Sequence, residues 1–130
     1  MEVSNTQDYL VSFRVASFIR ELGFHVPTRD YYHAGAEEIV YTHYGNGMDY
    51  NNLVDYGYAT VSAPTLQVVQ KWFREKKDFE VYAIPVSKGI YKVYCVQYNG
   101  GDEEVIYTEG GFSSYEEAIE DGILHYPIKS

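Results

Sequence analysis

From Phe79 to Thr108 the chain contains three segments in which apolar and polar residues alternate, separated by short turn signals, and few folds accommodate that pattern. Phe79-Glu80-Val81-Tyr82-Ala83-Ile84 has the period of two that a half-buried strand requires, and so does Ile90-Tyr91-Lys92-Val93-Tyr94-Cys95-Val96-Gln97-Tyr98. Lys88-Gly89 divides these two, and Asn99-Gly100-Gly101-Asp102 leads into Glu103-Glu104-Val105-Ile106-Tyr107-Thr108. Turns this short join antiparallel neighbours. Pro85 has no N–H to give to a ladder, which places the first strand at an edge or near its end.

Such a sheet needs cover, and both flanks can supply it. In Ser62-Ala63-Pro64-Thr65-Leu66-Gln67-Val68-Val69-Gln70-Lys71-Trp72-Phe73-Arg74-Glu75-Lys76-Lys77, the residues Leu66, Val69 and Phe73 recur at helical spacing with Val68 and Trp72 beside them. Gln67, Gln70, Lys71, Arg74 and Lys77 fall mostly on the other side. Pro64 suits a first helical turn, so the helix is expected to start there. Each apolar side chain it buries contributes roughly 1.5–3 kcal/mol before entropy. Behind the strands, Ser113 or Ser114 can form a capping box with the Glu three residues later. Tyr115, Ala118, Ile119, Gly122, Ile123 and Tyr126 then keep a helical period until Pro127. Gly122 costs about 1 kcal/mol against Ala in a helix, which is explicable if the backbone there approaches the sheet closely.

The N-terminal half reads less regularly. Asn5 or Thr6 can cap a first helix whose apolar face is Val11, Val15, Phe18, Ile19 and Leu22. Gly23 follows as a left-handed cap, with Phe24 folding back onto Ile19. After Pro27, the runs 28–33 and 38–44 read as a β-hairpin broken at Ala34-Gly35-Ala36. A long ordered loop follows Gly45-Asn46-Gly47, with a short helical turn near Asn52-Leu53-Val54. The expected architecture is a single α+β domain over 1–130, with order α-β-β-α-β-β-β-α and helices packed on one face of an antiparallel sheet. Residues 1–60 form its helix, hairpin and loop, and 61–130 its α-β-β-β-α unit.

Three ordered motifs give the chain a resemblance: Ala16-Ser17-Phe18-Ile19-Arg20-Glu21-Leu22-Gly23-Phe24, Pro64-Thr65 with Lys71-Trp72-Phe73-Arg74-Glu75, and Ser114-Tyr115-Glu116-Glu117-Ala118. In these it resembles a family of small uncharacterised proteins encoded by Bacteroides-group bacteria and their phages and prophages. Phe112-Ser113-Ser114 stands where the family's closing motif has an acidic lead-in. The resemblance covers most of the chain and implies a phage-related origin. It carries over no catalytic residue, cofactor or ligand, and each motif also has a structural explanation as a C-cap, a helix start or a capping box.

Charge and cysteine usage narrow the function classes. A net charge of −9 and a pI near 4.8 oppose attraction to phosphate backbones and anionic lipid, so nucleic acid is a disfavoured partner. The opening Met1 to Asp8 has neither the basic nor the apolar region of a signal peptide, and no stretch is long and apolar enough to span a bilayer, so the expected compartment is the cytoplasm. Cys95, the only cysteine, reads as a small buried thiol.

Fifteen tyrosines are the most unusual compositional feature. Tyrosine pairs apolar area with a polar tip and suits half-buried strands and contact surfaces alike. Tyr44, Tyr50, Tyr56, Tyr58, Tyr82, Tyr94 and Tyr98 are the candidate interaction surface, together with Tyr31 and Tyr41. Lys71, Arg74, Lys76 and Lys77 form a candidate anion patch, which also reads as cationic charge complementing a helix C-terminus. His25, His33, His43 and His125 lack the spacing of a metal centre, although His33 and His43 could face each other across the hairpin near Asp30. Asp49-Tyr50-Asn51-Asn52-Leu53-Val54-Asp55 opens like a calcium loop but has Leu53, Val54 and Thr60 where oxygen ligands and glycine belong. No cofactor is implied.

These readings favour a non-enzymatic protein-interaction module of phage or prophage type, its partner unspecified, with homodimerisation through an exposed strand edge as a special case. One alternative is a small enzyme with a His and acidic site around residues 43–58. The other is a nucleic-acid binder, because helix, three strands, helix is the order of the double-stranded RNA-binding domain. Glu116, Glu117, Glu120 and Asp121 occupy the final helix where such a domain would present cations.

Overall fold

A computed structural model describes residues 9–33, 35, 37–41, 47–52 and 60–126. The chain forms two compact units, one made of residues 10–65 and the other of residues 66–130 with the segment through Tyr9. The order of elements is helix, strands, helix, strands, helix, and the class is α+β.

In the unit of residues 10–65, α1 spans Phe13–Glu21 and buries Val15, Ala16 and Ile19. Its cap is Ser12, whose hydroxyl accepts from the Val15 N–H at 3.2 Å. The expected start at Asn5 or Thr6 is corrected: those two residues lie outside the described ones, and Tyr9 to Val11, which would then be helical, are not. Leu10 bridges Thr65, and the Val11 N–H donates to the Pro64 carbonyl at 3.0 Å. Val11 keeps the helical spacing of the apolar residues, yet it is buried ahead of the helix. The helix ends as expected. Gly23 has φ +93°, its N–H donates to the Arg20 carbonyl, and the Phe24 N–H reaches back to Ile19, which is the Schellman arrangement.

Strands β1 (Asp30–His33) and β2 (Glu38–Val40) form the expected hairpin, with His33 opposite Glu38. The expected facing of His33 and His43 is therefore corrected as to His33, and His43 lies outside the described residues. A strand that the sequence reading lacked, β3 (Thr60–Ala63), pairs antiparallel with β1 on its other side, giving the order β2-β1-β3. All four of its residues are buried, so no alternation announces it. The single sheet of the expectation is thus two sheets of three strands each.

A 3-10 turn at Tyr50–Asn52 lies along β3 with the Tyr50 ring on the Tyr31 face of this first sheet; of the turn expected near residues 52–54, residues 53 and 54 lie outside the described ones. Asn51 donates to the Phe24 carbonyl at 2.7 Å and accepts from the Ser62 N–H at 2.9 Å. The Thr60 hydroxyl donates to the Tyr50 carbonyl at 2.7 Å. On the opposite face the Tyr32 hydroxyl donates to the Val11 carbonyl at 2.6 Å, and its ring meets Phe13 edge-on.

In the other unit, α2 spans Leu66–Lys77 and buries Leu66, Val69, Trp72 and Phe73. It begins two residues after Pro64, a correction to the expected start, because the Pro64 carbonyl is engaged with Val11 in an extended pairing. Three strands follow: β4 (Phe79–Ser87), β5 (Ile90–Asn99) and β6 (Asp102–Phe112), antiparallel in the order β4-β5-β6. All three run longer than the alternating segments alone indicate. Bulges interrupt the ladder near Pro85 and at two places along β6, which adds twist and blunts edges that would otherwise template pairing.

Helix α3 (Tyr115–Leu124) closes the unit. Ser114 is its cap, accepting from the Glu117 N–H at 3.1 Å, while Ser113 donates to the Glu117 carboxylate. Both helices of this unit lie on the face of Phe79, Val81, Val93 and Cys95. A Cβ at Gly122 would fall among Val81, Val93 and Cys95, and Phe73 packs on Phe79 with Tyr126 against both.

Candidate interaction surface

Alternation along β4 and β5 sends every second side chain to the face of the sheet turned away from α2 and α3. The register identifies them: Tyr82 is paired with Tyr94, Ile84 with Lys92 and Glu80 with Val96. On β6, Thr108 lies opposite Tyr94, Val105 opposite Val96 and Glu103 opposite Tyr98. The rings of Tyr82 and Tyr94 stack across the strands at 5.3 Å and 15°, a contact worth about 0.5–1.5 kcal/mol beyond its buried area. The Lys92 ammonium lies over the Tyr94 ring, 5.4 Å from its centroid.

This face exposes much of its apolar area, although Val96 at its centre is buried. Tyr82 is 38% exposed, Ile84 40% and Val105 54%. Val86 and Ile90 add exposed apolar side chains at the tip of the β4–β5 hairpin, where every residue from Ile84 to Ile90 is exposed. Five of the eight exposed large apolar side chains among the described residues therefore lie on these three strands, which marks a patch rather than a scatter.

The expected tyrosine surface divides. Tyr82 and Tyr94 come together as described, and Tyr98 is half-buried on the same face of β5, opposite Glu103. Tyr50 does not join them. It is 5% exposed and stacks on Tyr31 at 4.4 Å, so it is core. Tyr41 is exposed, in the other unit. Tyr44, Tyr56 and Tyr58 lie outside the described residues.

The cationic end of α2 is partly spent on its own unit. Arg74 pairs with Glu80 at 2.9 Å, and the Lys77 ammonium sits over the Trp72 ring at 5.4 Å. Lys71 and Lys76 are exposed. Of the histidines, His25 meets Asp49 at 3.0 Å, a pair expected from neither residue's local sequence, and Asp49 also accepts from the Asn51 N–H. His125 stacks on Tyr107 at 3.9 Å, and the Tyr107 hydroxyl donates to Asp121 at 2.7 Å. Burial, then that hydrogen bond and the carboxylate's charge, push the Tyr107 phenol well above its ordinary value. Burial pushes the Cys95 thiol up to about 12, with the Asp121 charge adding to it. Such a thiol is no nucleophile at neutral pH.

Among the described residues, no group of three or more His, Cys, Asp or Glu side chains could hold a metal, and no helix is long and apolar enough to cross a membrane. A scan against protein-family models returns no match, and searches of curated proteins and of solved structures find no significant similarity.

Proposed function

We propose that the chain is a non-enzymatic protein-interaction module acting in the cytoplasm, of the phage or prophage type its motifs resemble, and that its working surface is the open face of β4, β5 and β6. The observation that carries this reading is the stacked Tyr82–Tyr94 pair at the centre of an exposed apolar patch. Aromatic side chains held rigid by a neighbour lose little entropy on binding and concentrate binding energy. Nucleic acid is the poorer partner: the unit keeps the helix, three strands, helix order, but Glu116 and Glu117 occupy the first turn of α3.

The test is affinity capture from lysate of the protein's own host, with identification by mass spectrometry. Wild type is compared with Tyr82→Ser/Val105→Ser and with Lys71→Glu/Lys76→Glu. Loss of the captured protein with the first variant alone supports the reading. Loss with the second alone contradicts it.

A second reading, the small enzyme with a His and acidic site near residues 43–58, has the His25–Asp49 contact in its favour. The carboxylate would orient the imidazole through Nδ1 and leave Nε2 for a substrate. His25 bonds to no hydroxyl or thiol among the described residues, so its test is a hydrolase screen with His25→Ala as control. Turnover lost in that variant would favour the enzyme.

A further inference from the structure

The open face of β4, β5 and β6 carries opposite charge at its two ends. At one end Lys92 sits beside Ile84, its ammonium over the Tyr94 ring, with Lys88 in the adjoining turn. At the other end Glu103, exposed, lies opposite Tyr98, while Asp102 and Glu104 beside it, opposite Asn99 and Gln97, alternate to the other face. Glu80, also on this face, is already paired with Arg74. Between the ends lie Tyr82, Tyr94 and Val105, with Val96 buried. Lys92 and Tyr98 are separated by six residues of one strand, or about 20 Å.

On this basis, and resting on the reading of this face as the working surface, we infer that its partner is a second copy of the chain, packed sheet to sheet about a two-fold axis. The axis lies between the sheets and perpendicular to the strands, crossing the face between Tyr94 and Val96. That operation reverses strand direction, so Lys92 of each copy meets the Glu103 end of the other while the apolar middles stack. A two-fold axis along the strands would set Lys92 against Lys92 and is disfavoured. A partner of a single charge sign would be attracted at one end and repelled at the other, whereas a reversed copy matches both ends. The net charge of −9 opposes association of two copies in every orientation, so a dimer needs the matched ends and the apolar middle to offset that repulsion.

The experiment is a concentration series by light scattering and sedimentation equilibrium on wild type, Lys92→Glu, Glu103→Lys and the double variant Lys92→Glu/Glu103→Lys. Circular dichroism checks that each is folded. Wild type is expected to dimerise, each single reversal to weaken the dimer by about tenfold or more, and the double reversal to restore it to within a few-fold of wild type. A wild type monomeric at every concentration overturns the inference, and so does a double variant as weak as the two single losses combined, or a dimer indifferent to both reversals. If wild type stays monomeric yet captures another protein through Tyr82 and Val105, the second copy is wrong while the interaction module stands. If association of every kind ignores Tyr82 and Val105, both fall.

Discussion

Gly122 on α3 lies so close to Val81 on β4 that a Cβ at the glycine would stand 2.7 Å from Val81 Cγ1, with Val93 Cγ2 at 2.9 Å and Cys95 Sγ at 3.0 Å. Alanine is favoured over glycine in a helix by about 1 kcal/mol. Overpacking of a filled core costs about 1–3 kcal/mol, and here the crowding meets branched, buried side chains. Gly122→Ala is therefore expected to lower unfolding stability in urea, and Val81→Ala/Gly122→Ala to be more stable than the sum of the two single losses. A Gly122→Ala protein at least as stable as wild type would show that α3 can shift off the sheet freely.

Asn51 joins three parts of the other unit: the chain after α1 through Phe24, strand β3 through Ser62, and its own 3-10 turn. Asn51→Ala removes the acceptor of the buried Ser62 N–H, costing about 1–3 kcal/mol, and one bond to the Phe24 carbonyl. Chemical denaturation should register a loss in that range or above, with early hydrogen exchange at the Ser62 amide. Unchanged exchange at Ser62 would mean that its N–H finds another acceptor.

Cys95 is fully buried, and its thiol, held up to about 12, donates weakly to the Gly122 carbonyl. A disulfide reagent at pH 8 should react with native protein far more slowly than with denatured protein, because reaction must await opening of the α3–sheet contact. Comparable native and denatured rates would contradict this placement.

Tyr107 gives the alkaline side of the stability profile its sign. Its folded-state pKa is raised, by burial first and then by the hydrogen bond and charge of Asp121, above the 10.0 of a free phenol. The folded chain thus holds the proton more tightly than the unfolded chain. The resulting stability is complete below that unfolded value and is lost as pH rises through the folded one. Alkaline titration followed by phenolate absorbance should show a late-ionising fraction that includes Tyr107, beside Tyr9, which burial and the acidic residues of α3 also raise, and Asp121→Asn should bring part of that fraction earlier. Identical titrations of the two proteins would remove Asp121 from the account.

How far the sequence could be read follows from the physics of each segment. Three strands and the closing helix were legible because alternation, turn glycines and a serine cap are local signals, and Gly122 betrayed the close approach through its position on an apolar face. Strand β3 was not legible. It is short, buried at every position and runs directly into Pro64, the expected helix start, so no alternation sets it apart. The helix α1 was expected too early because Val11 keeps helical spacing while belonging to an extended segment. For the candidate surface, composition supplied the tyrosines but not their placement. Register brings Tyr82 to Tyr94, and long-range packing buries Tyr50 against Tyr31; neither depends on local sequence. The charge polarity from Lys92 to Glu103 also needs the register before it has meaning.

An interaction through β4, β5 and β6 requires their open face to be covered in the associated state. Hydroxyl-radical footprinting of the associated protein beside the dilute, isolated chain measures that residue by residue. Protection is expected at Tyr82, Tyr94 and Val105, with Lys71 and Lys76 on α2 unchanged. Protection along α2 with Tyr82 and Val105 still reactive would contradict that interaction.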